Sequence, residues 1–373
     1  MKRLGLIVNP VAGMGGAVGL KGTDGPEAVI QAERLGAVPR AGQRAERALT
    51  ALGPLEDSMT ILTYGGAMGE APAKACGLRP AVIGSGSTPR TNSEDTVSAA
   101  RQMATEDVDL LLFAGGDGTA RDIYDAVKTS VTTLGIPAGV KIHSAVFASS
   151  PAAAGRVAAS VLTGEIKRVQ EAEVMDINED DYRRGILSAI LYGYLRIPAA
   201  RRLLQGGKAA TSPDERAVQA AIAAALAEQM TNDRCYLVGP GTTCAALMEL
   251  LGLDNSLLGV DMICAGRLIG KDMSERDILE KTADRRCHLI LTPVGGQGFL
   301  LGRGNQQISP AVIRRVGKQN ITIAATVEKL GSLGGRPLLV DTGDADTDSS
   351  LCGHYRVITG YRQTAVYRVS DSS

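Results

Sequence analysis

Residues 110–123 read LLLFAGGDGTARDI. The apolar residues at its start show no polar alternation, so this stretch predicts a strand covered on both faces. A glycine pair ends it, and the polar run that follows has the spacing of a helix. Strands of this kind need helices above and below a parallel sheet. The pattern recurs upstream and downstream of this run. LGLIVNP, SMTILTYGG, CGLRPAVIGSG and LGIPAGVKIHS are apolar runs ending in turn residues. Helical stretches separate them, including DGPEAVIQAERLGAVPRAGQRAERALTAL, interrupted near Pro39, and TNSEDTVSAARQM, with Ser93 as the expected cap. The expectation is an α/β fold: a doubly wound parallel α/β domain over residues 1–145, with ligands gathering outside the carboxyl ends of its strands.

Residues 146–373 read as a second, β-rich domain. TSPDERAVQAAIAAALAEQM predicts a helix capped by Ser212 with Pro213 in its first turn. CHLILTPVGG, NITIAAT and RPLLVDTGD predict strands, and HYRVITGYRQTAVYRV predicts a hairpin around Thr359-Gly360.

Composition removes several function classes. Forty basic residues balance forty acidic ones, and aromatics make up 3% with no tryptophan. No basic footprint or stacking platform for nucleic acid is expected. No apolar run has the length of a membrane span, and the first residues lack a secretory h-region. The six cysteines show no CxxC spacing. They are expected to be reduced core thiols of a cytoplasmic protein. The three histidines are far apart, and no metal-ligand spacing appears.

The glycine turns carry the chemistry. Gly115 and Gly116 would let main-chain N–H groups reach an anion, and Thr119 offers a hydroxyl. Asp117 would repel a bare phosphate. It reads either as the cap of a tight turn or as a carboxylate that orients a substrate hydroxyl. Two further glycine-rich turns, NPVAGMGG (Asn9 to Gly16) and GSGSTPRTNS (Gly84 to Ser93, with Thr88), also end strands. No P-loop and no dinucleotide-binding glycine fingerprint occurs. His143 reads as a cleft ligand or a structural histidine, and Lys141 as a phosphate partner or a solvated cation. Arg303 reads as a bidentate phosphate binder or a loop residue. Glu173 and Asp176 read as ribose or metal contacts or as an acidic surface turn.

These runs resemble a known family. AGGDGTARD resembles the GGDGT signature of the superfamily of NAD kinases, diacylglycerol kinases and sphingosine kinases, and NPVAGMGG resembles its first-strand motif. VGLKGTDG, GIPAGVKIHSAVFA, VGPGTT, GGQGFLLGRGNQQISP and VDTGD resemble the ATP-NAD kinase-like branch that includes the AcoX proteins of acetoin operons. The resemblance implies a two-domain kinase with an interdomain active site. It would transfer a phosphoryl group from ATP, or polyphosphate, with magnesium, to the adenosine ribose 2′-hydroxyl of NAD. A small diol, polyol or lipid alcohol is the alternative acceptor, and a non-catalytic nucleotide-binding regulator a third reading. Asp117 would be the base. Asn9, Gly13, Gly115, Gly116, Gly118 and Thr119 would meet phosphates, with Gly241, Thr242 and Thr243 as further nucleotide contacts. Thr88, His143, Glu173, Asp176, Arg303 and Asp341 are candidate substrate contacts. The family's Gly-Ile-Asn-x-Gly run reads GIPAG here, with Pro137 in place of the asparagine. A homo-oligomer, dimer or tetramer, is expected.

Overall fold

The computed structural model describes the chain except residues 1, 21–25, 53–58, 88–89, 140–141, 178–188, 201–212, 295–297 and 373. The chain divides into two compact units. One comprises Met1–Met14 and Gly22–Gly207, the other Gly15–Lys21 and Lys208–Ser372.

In the first unit five strands form one sheet: β1 (Lys2–Val8), β2 (Met59–Tyr64), β3 (Ala81–Gly84), β4 (Leu110–Gly115) and β5 (Thr133–Pro137). Their order is β3-β2-β1-β4-β5 and every pairing is parallel. Leu110 to Ala114 are all fully buried, as are Leu4, Leu6, Ile7 and Val8. That two-sided burial is the physical reason for the unbroken apolar runs. The helices are α1 (Pro26–Arg34), α2 (Ala41–Thr50), α3 (Glu70–Ala75), α4 (Ser93–Thr105), α5 (Asp117–Val127) and α6 (Pro151–Leu162). Of these, α4 packs beside α5, and α2 beside α6. Asn92, not Ser93, caps α4. Its side chain accepts from the Glu94 and Asp95 N–H groups, and the Asp95 carboxylate accepts from the Asn92 N–H at 2.7 Å. The reciprocal box satisfies two kinds of orphan donor, which a serine one residue later would not do.

An antiparallel ribbon of β6 (Val169–Ile177) and β7 (Ala189–Pro198) packs on α5 and β5. The segment between α5's neighbour β5 and helix α6 is pinned from both sides. The Gly135 N–H donates to Val146 O and the Ala148 N–H to Gly135 O. The Ala145 N–H donates to Glu173 O on β6.

The second unit is built on one mixed sheet in the order β10-β9-β8-β11-β13-β15-β16-β14-β12. Its strands are β8 (Cys235–Val238), β9 (Asp261–Cys264), β10 (Arg267–Gly270), β11 (Cys287–Leu291), β12 (Phe299–Leu301), β13 (Ile321–Ala324), β14 (Leu338–Val340), β15 (Gly353–Gly360) and β16 (Gln363–Asp371). Its helices are α7 (Pro213–Gln229), α8 (Thr242–Leu250), α9 (Glu275–Lys281), α10 (Pro310–Val316), α11 (Val327–Gly331) and α12 (Ala345–Leu351). Ser212, the expected cap of α7, lies outside the described residues. The hairpin turn is Tyr361–Arg362 rather than Thr359-Gly360, because Gly360 pairs with Gln363 in register. Cys235 and Cys264 face each other across β8 and β9, 4.3 Å apart at Cα, and form a disulfide. The expectation of six reduced thiols is therefore corrected for this pair. The bond follows from cross-strand register, which cysteine spacing does not reveal. No described helix is long and apolar enough to cross a membrane.

Two measurements follow from this packing. A Cβ on Gly135 would lie 2.3 Å from Phe147 Cδ1, and that ring is fully buried against Phe113. Gly135→Ala is expected to destabilise the first unit by about 1–3 kcal/mol, as overpacking does. Gly331→Ala meets nothing within 4 Å and is expected to be neutral or to stabilise by up to about 1 kcal/mol. Denaturant titration of both reads the contrast. His288, bonded through Nε2 to Thr322 Oγ1 at 2.8 Å, has its pKa held below an ordinary histidine's 6.5 by burial and by nearby Arg234. The unfolded chain then binds more protons there than the folded one. Stability present above pH 6.5 is therefore lost as the pH falls below it. Urea midpoints should drop more steeply in that acid window for the wild type than for His288→Gln.

Candidate active site

The sheet order places a topological switch point between β1 and β4. From β1 the chain crosses to β2 and β3 on one side, and β4 and β5 lie on the other. The turns after β1 and β4 flank this switch point, where open α/β sheets take their ligands. These are NPVAG and GGDGT.

Main chain and small side chains bring the turns together. The Asn9 N–H donates to Ala114 O at 3.0 Å, and Asn9 Nδ2 donates to Thr119 Oγ1 at 3.0 Å. Gly13 has φ +76°, and a Cβ there would sit 1.9 Å from Ala138 O. Only glycine fits that position. Gly116 faces Gly139, whose added Cβ would lie 2.7 Å from Gly116 Cα. The Ala138 and Gly139 N–H groups both donate to Gly115 O at 2.9 Å. Turns after β1, β4 and β5 thus meet closely at glycines.

Gly116 is the N-cap residue of α5 and supplies no capping side chain. Asp117 is the first helical residue, and its carboxylate does not cap its own helix. Oδ1 accepts from the Ser144 N–H at 2.9 Å, and Oδ2 from the His143 N–H at 2.7 Å. His143 Nδ1 lies 3.1 Å from Oδ2. A carboxylate that accepts must meet an N–H there, so Nδ1 carries the ring proton. The two side chains are 8% and 4% exposed. His143 Nε2, directed away from the carboxylate by ring geometry, is buried and has no hydrogen-bond partner among the described residues. Ser144 Oγ accepts from the Met175 N–H at 2.9 Å, and so fixes the donor pair to β6.

In the first unit, then, Asn9, Gly13, Gly115, Gly116, Gly118, Asp117, Thr119 and His143 belong to one edge. Glu173 has an exposed side chain on β6. Asp176 lies on β6 opposite Ile190. Thr88 and Lys141 lie outside the described residues. Ser144 and Gly139 were missed in the sequence. Their signal is faint: a Gly and a His-Ser pair shortly after the GIP strand end.

In the second unit Gly241, with φ +121°, is the N-cap residue of α8. Thr242 Oγ1 accepts from Gln219 Nε2 at 3.0 Å. Thr243 and Thr292 carry buried hydroxyls without a partner among the described residues. Burial pushes the Cys244 thiol up to about 12, so it is no nucleophile. Arg303 is buried and stacks over the Phe299 ring at 4.1 Å. Asp341 is fully buried at the end of β14, in a turn held by Asp348, which accepts from the Thr342 N–H and hydroxyl at 2.9 and 2.7 Å. Among the described residues no cluster of three or more His, Cys, Asp or Glu could hold a metal ion.

Comparison with known proteins agrees with this architecture. The model of the ATP-NAD kinase N-terminal domain matches residues 4–166, and that of the ATP-NAD kinase C-terminal domain matches residues 231–369. No curated protein matches at a significant level. Among solved structures, one designated a candidate diacylglycerol kinase from Bacillus anthracis str. Sterne is similar at 17% identity and a TM-score of 0.24. The match covers 48% of this chain and 46% of that one, about half the length of each. With family models matched along both halves, the chain belongs to the ATP-NAD kinase family.

Proposed function

We propose that the protein transfers a phosphoryl group from ATP to the adenosine ribose 2′-hydroxyl of NAD, giving NADP. The observation that carries this reading is the position of Asp117. It stands at the carboxyl edge of the switch-point strands, next to the glycine turns, with both oxygens held by His143 and Ser144. The amides of Gly115, Gly116 and Gly118 at the start of α5 suit phosphate oxygens, since a helix N-terminus favours anions. Asn9 and Thr119, already bonded to each other, would close that cradle. Gly241, Thr242 and Thr243 are proposed nucleotide contacts of the second unit. The acceptor hydroxyl would meet the Asp117–His143 pair. A loose phosphoryl-transfer transition state needs it oriented more than ionised.

Magnesium is proposed as part of the nucleotide substrate. No preformed acidic cage exists among the described residues, and this ion is commonly held by substrate phosphates and water with one or two carboxylates. It would neutralise the donor's phosphate charge.

Pro137 favours a second reading. It ends β5 opposite Gly115 and has neither a side-chain amide nor an N–H to offer a nucleotide. A small diol, polyol or lipid alcohol is then the acceptor on the same machinery.

Purified protein incubated with NAD, magnesium and ATP, or polyphosphate in its place, should form NADP. Asp117→Asn is expected to lower kcat by about 10²–10⁴-fold, the scale of acid–base assistance. An unchanged rate in that variant would remove Asp117 from the chemistry. Label from ATP appearing on a polyol, with none on NAD, would move the acceptor to the second reading.

A further inference from the structure

We infer that the atom receiving the acceptor hydroxyl's proton is His143 Nε2, with Asp117 holding the ring; this rests on the kinase reading above. Family resemblance points to the aspartate itself as base, but the geometry points one residue further. An ionised carboxylate has about four lone-pair sites. Those of Asp117 already meet two main-chain N–H groups and one imidazole N–H. A hydroxyl would have to compete with three fixed donors for what remains. The imidazole shows the complementary pattern. Its Nδ1 is engaged by the carboxylate, and Nε2 is buried without a partner among the described residues. A buried polar atom left unmatched in a folded protein calls for an explanation, and a catalytic role is one. The ring is held in place. His143 is anchored at its own N–H by Asp117, and Ser144 and Ala145 are tied to β6.

The arrangement is that of a base oriented by an acid. In the transfer, the acceptor's O–H bond breaks and its proton passes to Nε2. The hydroxyl oxygen bonds to the γ-phosphorus of the nucleoside triphosphate. The bond from that phosphorus to the β–γ bridging oxygen breaks, and its electron pair leaves with the nucleoside diphosphate. The imidazolium, stabilised by Asp117, later returns its proton to solvent.

His143→Asn separates this role from a structural one. The asparagine amide can still donate to Asp117 but carries no basic nitrogen. Expected are an unchanged thermal midpoint, an unchanged KM for ATP, and a kcat lower by about 10²–10⁴-fold. Added imidazole should restore part of the turnover of His143→Gly. Nitrogen-15 NMR of the wild type should show Nδ1 protonated and Nε2 bare, a readout independent of turnover. A wild-type ring protonated at Nε2 instead, or a His143→Asn enzyme with undiminished kcat, overturns the assignment. A wild type that phosphorylates no hydroxyl at all overturns the kinase reading, a result distinct from an active wild type indifferent to His143→Asn.

Discussion

A single carboxylate joins the start of α5 to His143 and Ser144, which lie 26 and 27 residues further along the chain. Asp117 opens α5, and its oxygens take the main-chain N–H groups of His143 and Ser144. Burying a charge is costly unless fixed donors replace its water. Here the donors are amides that the next loop lays alongside, and the positive end of α5 adds to the compensation. The loop can lie there because it is bonded to β5 on one flank and to β6 on the other. The β6–β7 ribbon therefore supports the loop through main-chain and Ser144 hydrogen bonds.

The glycines around this carboxylate act through close approach. Gly13 presses on the Ala138 carbonyl, and Gly116 on Gly139. Any Cβ at these contacts would part the three turns and pull the amides away from one another. What results is close main-chain contact beside a buried acid.

How legible this was depends on whether the cause was local. The strands of the first unit showed plainly, because two-sided burial writes an unbroken apolar run such as Leu110 to Ala114. The switch-point turns showed too, since glycine after such a run has few other uses. Local competition blurred the ends of elements. Asn92 and Ser93 are both good caps, and only the reach of Asp95 back to Asn92 decides between them. The hairpin turn falls on Tyr361–Arg362, although a glycine stands beside it at 360. The β6–β7 ribbon was unread because Ile190, Leu191, Tyr192 and Tyr194 are all exposed, so no alternation marks the strand. Tertiary placement decided the rest. Neither the Cys235–Cys264 pair nor the Asp117–His143 pair has a spacing that predicts contact. Strand pairing sets Cys235 opposite Cys264, and the loop after β5 lays His143 against the start of α5.

The choice of side chain at position 117 follows from the same geometry. Three N–H groups converge on it, so the residue must accept on both terminal atoms. Asparagine would turn one donor against another, leaving an amide or the imidazole unmatched. Glutamate would carry the acceptors a methylene further, into main chain fixed between β5 and β6. Aspartate alone supplies two acceptors at that reach. Its hydrogen bond at Nδ1 also leaves Nε2 as the basic nitrogen of His143. Structural satisfaction and chemical readiness at this edge of the sheet are thus one arrangement, set by where the donors lie.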